Sequence, residues 1–291
     1  MSESLDTLLH FVRERESIRL KKLAGEPPPW TNDPILQTYR FTNIRRRDDR
    51  VSQWLIKNVL KQEYTEANLR NFLLFSAWCR YINWPPTIDA VLQRGFYPAQ
   101  QIDWVEIGRF VDSLRGKKWT AAYMVLAPKQ RNLGKGVFIS QQVIGTSMAL
   151  VVDVIVAWLR ASEAPRQLIW LILRDCRYFG DFMAGQCVDD WTWTPLLAKA
   201  PDLYTWAPMG PGSIRGYNRM LGLPLRKRPK PDAWNSQLQS WRRSIITTLG
   251  PEYEDLTAAD AQNCWCEGDK YLRVKNGEGR PRTKYRPETA F

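Results

Sequence analysis

The chain has 291 residues, 42 Lys and Arg against 30 Asp and Glu, a formal charge of +12, and 44% hydrophobic residues with 14 Trp among them. That apolar content excludes disorder over most of the length, and the length suits roughly two domains or one two-lobed unit. The longest nearly apolar stretch, Ser147 to Leu159, contains Asp153 and is shorter than the ~20 residues that span a bilayer, so no membrane partner is expected.

In chain order, Leu5, Leu8, Leu9 and Val12 form a helical apolar stripe, with the single histidine, His10, at its edge. The acids of this N-terminus do not resemble a secretory signal, and five cysteines without framework spacing suit reduced thiols. A cytoplasmic location is the expectation. After Pro27-Pro28-Pro29 comes Tyr39 to Arg50, with five arginines and two aspartates; a solvated face of local ion pairs is the plain reading. The interleaved aromatics and Asn43 are more site-like, and Asp49 beside arginines is expected to stay ionised. Helical spacing recurs at Leu55, Val59 and Leu60, at Leu69, Leu73 and Ala77, and at Ile144, Met148, Val151, Ile155 and Leu159, which predicts one long buried helix.

Leu171 to Gln186 reads as helix, glycine turn and helix, an arrangement that offers N-terminal amides at Gly180 to a DNA phosphate. Asp181 competes for those amides or caps the helix. Gly210-Pro211-Gly212-Ser213 precedes a helix with Arg215 and Arg219 at i, i+4, which reads either as an anion cradle or as an ordinary loop-helix junction with Ser213 as its N-cap. From Arg215 to Lys230 there are six basic residues and no acid, Arg226, Lys227 and Arg228 among them, a run suited to phosphate backbone. Cys266-Glu267-Gly268-Asp269-Lys270 leads into a basic, Gly/Pro-rich tail with Arg280 and Arg282.

One histidine closely limits Ser-His-Asp, Cys-His and His-zinc chemistry. No GxxxxGK[ST] phosphate loop occurs, and no GxGxxG follows a strand-like run. No metal and no cofactor is called for.

Seven segments then match a known family in order: Pro29 to Leu36; Tyr39 to Asn43 with Arg46, Asp49 and Arg50; Arg80 to Asn83; Thr120 to Met124; Phe182 to Gln186 with Asp190; Gly210 to Gly216; and Cys266 to Arg282. Together they resemble the α-glutamyl/putrescinyl thymine pyrophosphorylases, the bacteriophage amino acid or polyamine:DNA transferases of thymidine hypermodification. The chain departs from that pattern at Asp181 and at Trp191-Thr192-Trp193.

The resemblance implies a mainly α, two-lobed fold like the helix-hairpin-helix DNA glycosylases. It suggests a lobe over 1–130, a hairpin-containing DNA-binding core over 131–230 and a C-terminal helix and tail over 231–291. It implies an enzyme whose substrate is double-stranded DNA carrying pyrophosphorylated 5-hydroxymethyluracil, the product of a separate 5-hydroxymethyluracil kinase, and a reaction in which a free amine displaces pyrophosphate. Similar helical segments also occur beside that kinase, but the missing P-loop favours the transferase. Gly210, Gly212, Ser213, Arg215 and Arg219 suit the pyrophosphate, with Arg215 also catalytic at the departing oxygens. Asp202, Asp190 and Glu267 are candidate bases for the amine, Asp202 first, and Cys187 is the candidate for a rival covalent route. Asn43, Arg46, Arg50, Gly180, Arg226, Lys227, Arg228, Arg280 and Arg282 are the DNA contacts. The alternative is a glycosylase-like or non-catalytic helical protein that recognises modified thymine in DNA.

Overall fold

A computed structural model of the chain describes residues 3–120, 132–161, 163–281 and 283–285. Residues 121–124 of the Thr120 to Met124 segment, and Arg282, lie outside them. Among the described residues the fold is helical throughout, with no strand and one isolated antiparallel bridge, Tyr39 to Lys284. No single described helix is long and apolar enough to cross a membrane.

The chain divides into two compact units. One takes residues up to Asp49 and again from Asp202; the other runs from Arg50 to Pro201. These divisions fall elsewhere than the 130/131 and 230/231 boundaries suggested by the sequence.

In the discontinuous unit, α1 (Glu3–Leu23) carries acids in its first turn and lysines in its last, which complement the helix dipole. Its stripe of Leu8, Leu9, Phe11 and Val12 is buried, whereas His10 is exposed, 3.3 Å from Asp33. Asp33 caps the short α2 (Pro34–Thr38) by accepting the Ile35 and Leu36 amides, with proline at the first helical position. The unit is completed by α11 (Pro211–Met220), α12 (Pro231–Leu249) and α13 (Ala258–Lys275), the last opened by Thr257 and Asp260 in a capping box. Tyr217, Trp234, Trp241 and Trp265 meet in its core; Trp241 and Trp265 stack at 6.3 Å.

The continuous unit holds α3 (Arg50–Leu55), α4 (Leu69–Ile82), α5 (Pro85–Gln93), α6 (Trp104–Ser113), α7 (Lys135–Val137), α8 (Val152–Arg160), α9 (Arg166–Arg174) and α10 (Gly180–Trp191). Past α7 the chain continues as a π-helix, Phe138–Ser147, and a 3-10 turn, Met148–Leu150. The long helix expected from Ile144 to Leu159 is therefore broken, with a 50° bend before α8. The wider π-helical turn shifts the phase, so Val152 and Val156 are buried in place of Val151 and Leu159. Gly180, at φ +61°, joins the packed helices α9 and α10.

Candidate nucleic-acid interface

In the discontinuous unit α11 lies almost backbone to backbone against α13. A Cβ at Gly212 would sit 2.4 Å from Cys266 Sγ, and one at Gly216 would sit 2.1 Å from the Trp265 carbonyl oxygen. Only glycine fits at Gly216, where the neighbour is backbone, whereas a Cβ at Gly212 would force the Cys266 side chain to turn. The close approach carries Arg215 and Arg219 onto Asp269, whose side chain is wholly buried: Arg215 Nε donates to Oδ2 and Arg219 Nε to Oδ1, both at 2.8 Å. Arg219 also holds Glu278 with both terminal nitrogens, which lowers the Glu278 carboxyl below its usual range. Arg215 is a third exposed, and its two terminal nitrogens have no partner among the described residues. Of the two cations of α11, Arg215 is the one open to an anion.

Ser213 is not the N-cap. Gly210 caps α11, and Ser213 is its third residue, fully buried. Its hydroxyl accepts the Gly210 amide at 3.0 Å and the Gln262 side-chain amide at 2.8 Å, and donates to the Gly210 carbonyl at 3.0 Å. Ser213 therefore locks the turn and docks it on α13. Cys266, packed against Gly212, has its thiol pushed up to about 12 by burial.

The loop after α2 packs on the same face of α13. Glu267 accepts the Thr42 amide and the Lys270 ammonium, each at 2.9 Å, and Asn263 donates to Thr42 Oγ1 and the Asn43 carbonyl at 3.1 Å. The Asn43 amide donates to Asp49 at 2.8 Å, its side-chain nitrogen donates to the Asp48 carbonyl at 2.7 Å, and its side-chain oxygen accepts Arg15 Nη2. Asn43 thereby shapes the loop. Arg15 Nε donates to the Thr42 carbonyl at 3.0 Å, while its Nη1 is buried without a partner. Desolvation, outweighing the Asn43 amide and the charges of Arg46 and Arg15, pushes the Asp49 carboxyl up to about 6, which leaves it mostly ionised at neutral pH. The Arg46 amide donates to Asp260 at 2.9 Å.

Asn43, Arg46, Glu267, Gly210, Gly212, Ser213, Arg215 and Arg219 thus meet around α13. Between α11 and α12, Arg226, Lys227 and Arg228 are exposed on a loop held by buried Asn218, which donates to the Leu225 carbonyl at 3.1 Å and the Lys227 carbonyl at 2.9 Å. Arg280 is exposed beyond α13, and Asp202 opens the turn to Trp206. Arg15 and Gln262 escaped the sequence reading, and Asp269 and Asn218 stood in quoted motifs without a role of their own. The available signal was polarity beside an apolar stripe, as with Arg15 after Phe11 and Val12.

The other candidates lie in the continuous unit. Asp190 is buried in a two-pronged pair with Arg80, at 2.7 Å to Nε and 2.5 Å to Nη2, and so is committed to structure. Cys187 is buried beside it, its thiol raised well above the ordinary range by desolvation and then by the Asp190 charge. A thiol so placed is no nucleophile, and the covalent route through Cys187 is withdrawn. Gly180 starts α10, where Asp181 faces Arg174 at 3.4 Å, and Arg50 is exposed at the start of α3.

The family described as the helical domain of 5-hmdU DNA kinase matches residues 2–280. The chain belongs to that family. A 5-hmdU DNA kinase of Bacillus phage SP10 is 38% identical over 87 residues, a stretch that takes in 28% of this chain and 14% of the relative. No solved structure matches. Membership overturns the expected amine transfer, because the family is described as a domain of a DNA kinase, an enzyme that phosphorylates. The pyrophosphate-leaving role of Arg215 and the amine partner fall with that reaction.

Proposed function

We propose that this chain is the DNA-handling helical component of 5-hydroxymethyluracil phosphorylation. It binds the duplex and presents the 5-hydroxymethyl group, and P-loop chemistry supplied from outside these residues transfers the phosphoryl group. The observation that carries this reading is the family match over nearly the whole chain, in a sequence without GxxxxGK[ST].

The geometry supports it. Arg226, Lys227 and Arg228 stand exposed on a braced loop, and Arg215 keeps two donors open beside the α11 turn. Such cations suit phosphate oxygens, with Arg50, Arg280 and the α10 start at Gly180 as further contacts. The α9–α10 hairpin, with its glycine at φ +61°, favours a helix-hairpin-helix reading of the continuous unit. Among the carboxylates, Asp49, with its raised affinity for a proton, suits acid-base work better than Asp202 or the pinned Asp190.

The test compares binding to duplexes that differ only in thymine or 5-hydroxymethyluracil. It then follows γ-labelled ATP in mixtures of the modified duplex with a P-loop 5-hmdU DNA kinase, with and without this chain. Tighter binding of the modified duplex and faster labelling are expected. Labelling that is unchanged by the chain, with no duplex binding at low salt, overturns the proposal.

A further inference from the structure

Helix α8 is apolar on two opposite faces. Val152, Ile155 and Val156 are buried, at the spacing of a core-facing stripe. On the other side Val154 is 50% and Trp158 44% exposed, and Ala157 and Ala161 lie open at the intervening helical positions. Leu150, immediately before the bend, is 80% exposed. A helix with apolar residues all round suits burial on both sides, and here one side is uncovered.

The charged residues of α8 are Asp153 and Arg160. They stand about two turns apart, so both fall on the same flank of the exposed stripe, the acid near one end and the base at the other. Each is exposed and lightly held. Asp153, 70% exposed, accepts Arg70 Nε at 3.0 Å, and Arg160 Nη2 donates to the Glu66 carbonyl at 3.2 Å. When two copies of such a helix pack antiparallel, equivalent flanks meet. With a two-fold axis beside Val156 and Ala157, Asp153 of each copy lies opposite Arg160 of the other while the apolar stripes close on one another.

We infer that the open face of α8 docks on the same face of a second copy of this chain, making an antiparallel homodimer. The charge pattern selects that occupant, because it is complementary to itself under a two-fold axis. An anionic lipid surface suits it less, since Asp153 would enter the headgroups beside Val154 and Trp158. Nine residues of helix offer less area than the roughly 800 Å² per partner of a standard interface, so the dimer is reversible, with Kd on the order of 10–100 µM. The inference stands apart from the DNA-handling reading, because it uses none of the residues placed at the nucleic acid.

Sedimentation equilibrium of the full chain over roughly 1–500 µM, a span that brackets such a Kd, reads the dimer directly. The mass should rise from one chain toward two. Asp153→Arg and Arg160→Asp each set like charges at both contacts and should raise Kd roughly 10-fold, whereas an equimolar mixture of the two variants restores opposite charges and should associate like the parent. Val154→Glu should stay monomeric throughout. These positions are exposed, so every variant should melt like the parent. A monomeric parent, variants that associate as the parent does, or a mixture no tighter than its components would overturn the assignment. So would a monomeric parent that pellets with vesicles of equal phosphatidylglycerol and phosphatidylcholine while Val154→Glu does not, which would give the face to a membrane.

Discussion

The two units treat buried charge differently. In the continuous unit Arg80 and Asp190 form a pair closed to solvent, each side chain 2% exposed, with Arg80 also donating to Asn83 at 3.1 Å, and Arg166 holds Asp189 at 2.6 Å. In the discontinuous unit charges form open networks: Arg45 joins Glu16 and Asp255, and Asp269 is shared by Arg215 and Arg219, with Arg273 at 3.7 Å. A closed pair fixes helix packing and offers nothing outward. An open network keeps partly exposed members, such as Arg215, which is a third exposed while it holds Asp269.

The contrast is broken most sharply at Arg80. Arg80→Ala leaves Asp190 charged and buried, and should cost about 3–5 kcal/mol, read as a fall in Tm of roughly 10 °C; Arg80→Met with Asp190→Leu should recover most of it. Full stability in the single variant would mean that the pair is not closed. Next comes Gly216→Ala, whose methyl group has no room against the Trp265 carbonyl and should cost about 1–3 kcal/mol by thermal or denaturant melting.

A smaller, pH-dependent effect belongs to Asp49. With its folded pKa near 6, above the ~3.9 of an unfolded aspartate, the native state holds the extra proton between those values, so stability falls as pH rises through that window. Asp49→Asn should therefore stabilise at pH 7 and change little at pH 4, and equal Tm shifts at both would show that the carboxyl is not desolvated. The least effect on stability is expected from Arg226→Glu, Lys227→Glu and Arg228→Glu together, within about 0.5 kcal/mol. Duplex binding by this variant should lose about 0.9 in log K against log salt for each phosphate contact removed. An unchanged slope would make the loop a solvated face.

Helix content was legible from residue spacing, and so was the exposed basic run after Arg219, because both are properties of neighbours in sequence. The 50° break near Val151 was not, since a π-helical turn alters the period that spacing assumes. Gly210-Pro211-Gly212 illustrates a different limit. Glycine serves both for open amides and for close approach, and only coordinates reveal Cys266 and Trp265 where side chains would be. The pairing of Asp190 with Arg80, 110 positions away, was equally invisible, so a buried structural carboxylate read as a base. The missing P-loop was correctly observed and wrongly weighed. It bears on where nucleotide binds, whereas the family match concerns the helical part of a kinase.

The discontinuity of the first unit sets an order on synthesis. The face of α1 that carries Leu8 is covered by α13, where the Leu8 side chain seats on Gly268, and the strand-like contact of Tyr39 is made with Lys284. On the ribosome these partners emerge after the whole of residues 50–201, which are contiguous and free to fold first. Leu8, Phe11 and Val12 are therefore uncovered for most of translation. A slowed ribosome or a stalled chain exposes a hydrophobic helix whose cover has not yet been made.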